Sequence, residues 1–259
     1  VTRTKTTNVA APIIFGLVVC VLWQVGVTAF AVPSVLLPAP SAILTRFFGS
    51  LPLLGADFVQ TVLRAAIPGW IVGSGLGFLV ALACDRVPFL RRGLLPLGSF
   101  VSALPIVGIA PIMVMWFGFD WQSKVAVVVA MTFFPMLVNM TVGLEAAGKL
   151  ERDLMATYGA SWFAEMLRLR LPASMPFFFN GLKINASLAM IGAIVAEFFG
   201  TPVVGMGFRI STGLGRMQLD LVWAEITLAA IVGLTAFFLL TRLERRIAFW
   251  HPSVREAHR

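Results

Sequence analysis

Apolar residues gather along this chain in six long stretches: Val9 to Val32, Ala65 to Cys84, Leu94 to Phe117, Val125 to Leu144, Gly181 to Phe199 and Leu221 to Leu240. A helix needs about 20 mostly apolar residues to cross the hydrocarbon layer of a bilayer, so each stretch predicts a membrane-spanning helix. The first follows Arg3 and Lys5 and ends near Ala29-Phe30-Ala31, in the manner of a signal-peptide cleavage site. Its apolar run exceeds the ~7–15 residues of a signal core, which favours a retained helix. The third carries Pro96, Pro105 and Pro111, which free backbone groups and predict a kinked helix buried against its neighbours. Residues 145–180 break the pattern. There Leu154, Met155, Tyr158, Trp162, Met166 and Leu169 recur at helical spacing with Asp153, Glu165, Arg168 and Arg170 between them. That spacing predicts short amphipathic helices at the membrane surface, interrupted at Gly159 and ended at Pro172.

Composition agrees with the pattern: 59% of the 259 residues are apolar and 12% are charged, against roughly 45–50% and 25% in soluble domains. The mean hydropathy is +0.91, which excludes a disordered chain. A net charge of +8 could suggest nucleic acid, but so apolar a chain leaves little surface for a phosphate-binding face. The cations have another use. Six crossings put both termini on one side, together with Arg3, Lys5, Arg86, Arg91, Arg92, Lys149, Arg152, Arg168, Arg170, Lys183, Arg242, Arg245, Arg246, Arg255 and Arg259. Only Arg46, Arg64, Lys124, Arg209 and Arg216 fall on the other. Lys and Arg concentrate in cytoplasmic loops, so both termini are expected in the cytoplasm. Cys20 and Cys84 lie within apolar stretches, and the histidines, His251 and His258, sit near the C-terminus. Neither set predicts a disulfide or a metal site.

Gly69, Gly73 and Gly77 recur every four residues, which lines them on one helix face and predicts close approach of another helix. Two glycine patterns invite a nucleotide reading and fail it. Gly73-Ser-Gly75-Leu-Gly77 lacks the third glycine at the right spacing, and Gly143 to Leu150 matches G-x-x-x-x-G-K-[ST] except for the hydroxyl that would hold magnesium. Any ATP is therefore expected on another subunit. Lys183, Asn185 and Glu197 fall in the fifth stretch. Polar groups at membrane depth tend to face a bundle interior or a water-filled path, which makes Asn185 and Glu197 candidate path residues, although Glu197, a few residues from the end of the stretch, fits a partly solvated carboxylate near the far interface equally well. The run Phe177-Phe178-Phe179 is expected to anchor that helix at the interface.

The segment from Asp153 to Pro172 resembles the coupling loop, the EAA loop, of permease subunits of binding-protein-dependent ABC importers. Gly159 and Leu171-Pro172 stand at the family's positions, and Asp153-Leu154-Met155 replaces the usual Glu-Ala-Ala while keeping an acidic first residue. Val32 to Ser41, Ala110 to Gly118, Leu243 to Arg246 and Trp250-His251-Pro252 resemble segments of the nitrate, sulfonate and taurine branch. Phe177 to Ile184 and Ile191 to Phe198 are most similar to permeases for thiamine-precursor pyrimidines and riboflavin.

That resemblance implies an all-α membrane protein of the type I ABC importer permease fold, with about six transmembrane helices. It implies one permease domain over residues 1–259 and a cytoplasmic coupling loop at 145–180. The expected role is passage of a small solute across a bacterial inner membrane, a heterocyclic vitamin precursor or else a nitrate, sulfonate or taurine-like anion. The implied partners are a second, identical permease copy, two ATPase subunits that bind ATP and Mg, an extracytoplasmic solute-binding protein and the lipid bilayer. The chain itself is expected to bind no cofactor and to catalyse no reaction. Asp153, Met155, Tyr158, Gly159, Trp162, Leu171 and Pro172 would couple it to the ATPase. The rival reading is an ion-coupled secondary transporter, which would need paired membrane acids and repeated broken helices; neither is evident in the sequence. An integral membrane enzyme would need a nucleophile, metal or acid/base set on one site, and none is evident either.

Overall fold

The computed structural model describes residues 4–102, 104–200 and 203–250. These form ten helical elements: α1 (Thr4–Ala29), α2 (Pro40–Gly49), α3 (Leu51–Arg86), α4 (Pro88–Ser102), α5 (Ile106–Phe117), α6 (Trp121–Glu145), α7 (Lys149–Thr157), α8 (Trp162–Glu197), α9 (Met206–Gly215) and α10 (Leu219–Ile247). Among the described residues, five helices (α1, α3, α6, α8 and α10) are long and apolar enough to cross a membrane. Arg3, His251, Pro252, Arg255, His258 and Arg259 lie outside the described residues.

The third apolar stretch is two helices rather than one kinked span. The break falls around Leu104 and Pro105, where a missing N–H and a fixed φ favour starting α5 afresh over continuing α4. Two other helices run well past their apolar stretches, since α3 begins at Leu51 and α8 at Trp162. Each contains a wide π-helical segment, Val59–Ala66 in α3 and Met166–Arg170 in α8, and each segment ends just ahead of a proline, Pro68 or Pro172. A proline ring presses on the carbonyl four residues earlier, and a widened turn accommodates it. Pro172 therefore opens the straight part of α8 and does not end the helix, contrary to what the sequence spacing suggests.

Helix α6 is the centre of the bundle, with α3 and α8 packed along it. The glycine stripe makes the first contact possible. A Cβ on Gly69 would lie 2.5 Å from Val128 Cβ, on Gly73 2.0 Å from Thr132 Oγ1, and on Gly77 2.4 Å from the Phe133 carbonyl oxygen. Gly192 gives the same access on the α8 side, against Met131 and Val128. The space between is filled by Met136, Leu137 and Met140 of α6 with Ala81, Cys84 and Phe179. Phe177 lies against Gly143 and Phe178 packs edge-on against Phe78, so the phenylalanine run is core and not an interfacial anchor.

Helix α1 stands apart. It is tied near its C-terminal end by the Trp23–Trp223 ring contact and by the Gln24 side chain, which accepts from the Ser41 amide, while Ile13, Phe15, Leu17 and Leu22 are exposed. Such a face suits hydrocarbon and not water. The bundle has two ends. At the loop end lie α7, the C-terminus of α3 and the start of α4, where Arg91 pairs with Glu145. At the far end lie α2, α9 and the first turns of α6 and α10.

Candidate functional site

Two polar constructions stand out, one at each end of the bundle. At the loop end, the chain leaves α6 through residues 146–148 and enters α7. Helix α7 then closes in a double hydrogen-bonded cap: Gly159 N–H donates to the Ala156 carbonyl at 2.9 Å and Ala160 N–H to the Met155 carbonyl at 3.0 Å. That cap places its turning residue in the left-handed region, and Gly159 has φ +68°. Ser161 next caps the start of α8 by accepting from the Ala164 amide. Arg152 of α7 donates to Glu165 of α8 at 2.9 Å and links the two helices.

One face of this hairpin is open. Leu150, Leu154 and Tyr158, four residues apart, are 80%, 55% and 81% exposed, and Phe163 continues the apolar strip. Asp153 and Gly159 are exposed beside it, Met155 is half-buried, and Leu171 and Pro172 are half-buried in α8. Trp162 faces the other way: its Nε1–H donates to Asp85 Oδ2 at 3.1 Å and the Arg86 guanidinium lies 5.5 Å above its ring. The sequence places Trp162 among the outward contacts, whereas in the structure it belongs to the anchor. The same Asp85 carboxylate takes both terminal nitrogens of Arg170, whose Nε donates to the Leu144 carbonyl. Leu150, Phe163 and Asp85 do not stand out in the sequence, and Leu154 and Arg170 do so only as members of an amphipathic pattern. The four-residue spacing of Leu150, Leu154 and Tyr158 is the signal that finds the strip.

At the far end, α9 starts against side chains from two other helices. Gly205 N–H donates to Asp57 Oδ1 at 2.6 Å, Met206 N–H to Thr61 Oγ1 at 2.8 Å and Gly207 N–H to Glu197 Oε2 at 2.8 Å. The Thr61 hydroxyl in turn donates to the Glu197 carboxylate, and Arg209 Nε donates to Asp57 Oδ2 at 2.8 Å. These contacts satisfy the free amides of a helix start and set negative charge at its positive pole. Glu225, fully buried, lies against Asp57, and Lys124 faces Glu197 from α6 while donating to the Phe119 and Asp120 carbonyls. The sequence shows no paired membrane acids. The structure brings Asp57, Glu197 and Glu225 together from positions far apart in the chain.

Both candidate path residues have interior partners. Glu197 is 2% exposed within the α9 clamp, and Asn185, fully buried, donates to Ser74 Oγ and to the Thr132 carbonyl where α3, α6 and α8 meet. The grooves that open between helices are lined by other, mostly apolar side chains, such as Ile106, Ile109 and Met131, or Val62, Trp70 and Met190. Asn185 and Glu197 thus join helices and line neither groove. The Gly143–Leu150 motif forms a helix, a turn and a helix, with Gly143 packed on Phe177 and Gly148 capping α7, so it has no strand-to-helix phosphate loop. Among the described residues no three His, Cys, Asp or Glu side chains are placed to hold a metal ion.

Comparison with known proteins places this architecture. Residues 73–249 match the family described as binding-protein-dependent transport system inner membrane component. A probable ABC transporter permease protein of Haemophilus influenzae is 31% identical over 235 residues, 91% of this chain and 95% of the relative. A formylaminopyrimidine transport permease protein of Halalkalibacterium halodurans is 31% identical over 239 residues, 92% of this chain and 95% of its own. A riboflavin transport system permease protein of Chloroflexus aurantiacus is 29% identical over 235 residues, 90% of this chain and 87% of its own.

Proposed function

The chain belongs to the binding-protein-dependent transport system inner membrane components, as an ABC importer permease of the nitrate, sulfonate and taurine branch, and from that premise we propose that it couples solute passage to a separate ATPase through the exposed face of α7. It is a multi-pass inner membrane protein for small solutes, and its relatives are permease subunits and not enzymes. The observation that carries the proposal is the strip of Leu150, Leu154 and Tyr158, which is apolar and exposed at the polar end of the bundle. No core residue covers this strip, and a groove on another protein would bury it. Asp153 beside the strip offers a charge to a basic groove residue, which favours one docking register.

The assembly proposed is two copies of this chain, two ATPase subunits holding ATP and Mg, and a solute-binding protein at the far end. The loop end and both termini then face the cytoplasm. Approach of the two ATPases would carry α7 with it and switch the bundle between inward-facing and outward-facing forms. For the solute we propose a small heterocycle of the formylaminopyrimidine kind; the supporting relatives are those at 31% and 29% identity, against 24% for a taurine permease protein of Escherichia coli.

The buried acids at the far end are what would favour an ion-coupled transporter instead. The oxygens of Asp57 and Glu197, however, are taken up by the amides of α9, by Thr61 and by Arg209. Cysteines introduced as Leu154→Cys and Tyr158→Cys should cross-link to the ATPase subunit in membranes. In proteoliposomes, uptake of labelled formylaminopyrimidine should require ATP on the ATPase side and survive an ionophore, with labelled taurine as the competing substrate. Uptake that persists without the ATPase and collapses with an ionophore would establish the ion-coupled reading.

A further inference from the structure

Helix α7 has two covalent exits into the bundle, residues 146–148 to α6 and residues 158–161 to α8, and the second carries an unusual concentration of charge. Arg170 is 4% exposed and the Asp85 side chain 13%. Burying two charges costs several kcal/mol per ion unless geometry and further hydrogen bonds offset it. Here they do: both terminal nitrogens of Arg170 meet the two Asp85 oxygens, and Nε meets the Leu144 carbonyl. One guanidinium thus joins the ends of α3 and α6 to α8. Trp162, the first residue of α8, bonds to the same Asp85 and is covered by Arg86.

Between Trp162 and Arg170 lies the wide π-helical segment Met166–Arg170. Such segments are rare within α-helices and recur at functional sites. Both ends of this stretch are fastened to one carboxylate on a different helix. Arg152 and Glu165 meanwhile fasten α7 to the start of α8. The tie from α7 thus enters α8 at Glu165, between the two residues, Trp162 and Arg170, that are fastened to Asp85 of α3.

We propose that Asp85, held by Arg170 and Trp162, is the joint that transmits displacement of α7 to α3 and α8, with all three acting as positioning residues for transport. The proposal rests on the reading of α7 as the ATPase contact. The bond from Trp162, at the start of α8, is what brings the turn after α7 to the same carboxylate that holds Arg170.

The test uses the full assembly with its ATPase in proteoliposomes. A reporter cysteine replaces the exposed far-end residue Met115 in a Cys20→Ser, Cys84→Ala background, and its maleimide labelling rate is compared before and after trapping with ATP and vanadate. The parent should change its labelling rate on trapping. Asp85→Asn and the milder Trp162→Phe, which keeps the ring and loses the donor, should assemble and hydrolyse ATP. Their trapping-induced change should shrink about fivefold or more, the lower end of ordinary coupling between sites. The exchanged pair Asp85→Arg with Arg170→Asp should restore part of it. A change that persists in full in Trp162→Phe and in the assembled fraction of Asp85→Asn overturns the joint, whatever their yields. A parent whose labelling ignores the ATPase overturns instead the reading of α7 on which the joint rests.

Discussion

At Gly77 a single hydrogen atom decides how closely two helices approach. An added Cβ would meet the Phe133 carbonyl oxygen at 2.4 Å, and that atom is backbone in the central helix, with no rotamer to yield. At Gly73 the nearest atom is a threonine hydroxyl, which can rotate, but Val129 backbone atoms follow at 3.0 Å. Gly75, two residues from each, has nothing within 4 Å of where an alanine methyl would stand. Gly77→Ala should therefore destabilise the bundle by about 1–3 kcal/mol, the usual range for overpacking. Gly75→Ala should be neutral or slightly stabilising, because alanine loses less backbone entropy on folding. Thermal unfolding of the two variants in detergent separates these outcomes, and equal shifts would mean that the α3–α6 contact tolerates separation.

Helix α9 shows what an element gains from side chains far away in sequence. Its three leading amides are bound by Asp57, Thr61 and Glu197, from α3 and α8, so its position depends on those groups more than on its own ten residues. Glu197→Ala would leave the Gly207 amide and the Thr61 hydroxyl without their acceptor, at about 1–3 kcal/mol for each buried group left unsatisfied. The expected result is local: faster hydrogen exchange at residues 205–209, with protection in α7 and the start of α8 unchanged. Loss of protection at both ends together would show that the clamp supports the whole bundle and not α9 alone. The spans are legible in sequence because hydropathy registers apolar runs, and the glycine stripe because its period is local. The continuity of α3 and α8 past their apolar stretches is not, since the amphipathic spacing around Trp162 predicts a short helix ended at Pro172, and the partners of Asp57, Thr61 and Arg170 lie elsewhere in the chain. Asp85 and Arg170 lie 85 positions apart, and no pattern within one helix shows that they meet. The break before α5 is half visible: the prolines mark the place, and only the packing of α4 and α5 against α6 shows two helices.

Across the whole molecule, charge is distributed unevenly between the ends. Arg86, Arg91, Arg92, Lys149, Arg152, Arg168 and Arg170 belong to the loop end, with Arg242, Arg245 and Arg246 on the last turns of α10. At the far end, Arg46 lies 3.5 Å from Asp220, Arg209 is paired with Asp57, and Lys124 is buried against carbonyls, so much of the positive charge there is offset or enclosed. The loop end has pairs of its own, Arg91–Glu145, Arg152–Glu165 and Arg170–Asp85, so the asymmetry rests on the greater number of cations there. Cationic flanks stay on the cytoplasmic side during insertion, so the loop end should be cytoplasmic. Two exposed positions report on it: Tyr158 at the loop end and Phe119 at the far end, 81% and 71% exposed. With Cys20 and Cys84 replaced, Phe119→Cys should react with a membrane-impermeant maleimide in intact spheroplasts, and Tyr158→Cys only in inverted vesicles lacking the ATPase. The reverse pattern would turn the molecule over and put the α7 strip on the wrong side for any cytoplasmic ATPase. Adding the ATPase to the inverted vesicles should then slow labelling at Tyr158→Cys and leave Phe119→Cys unaffected, because protection by a docked subunit is confined to the surface it covers.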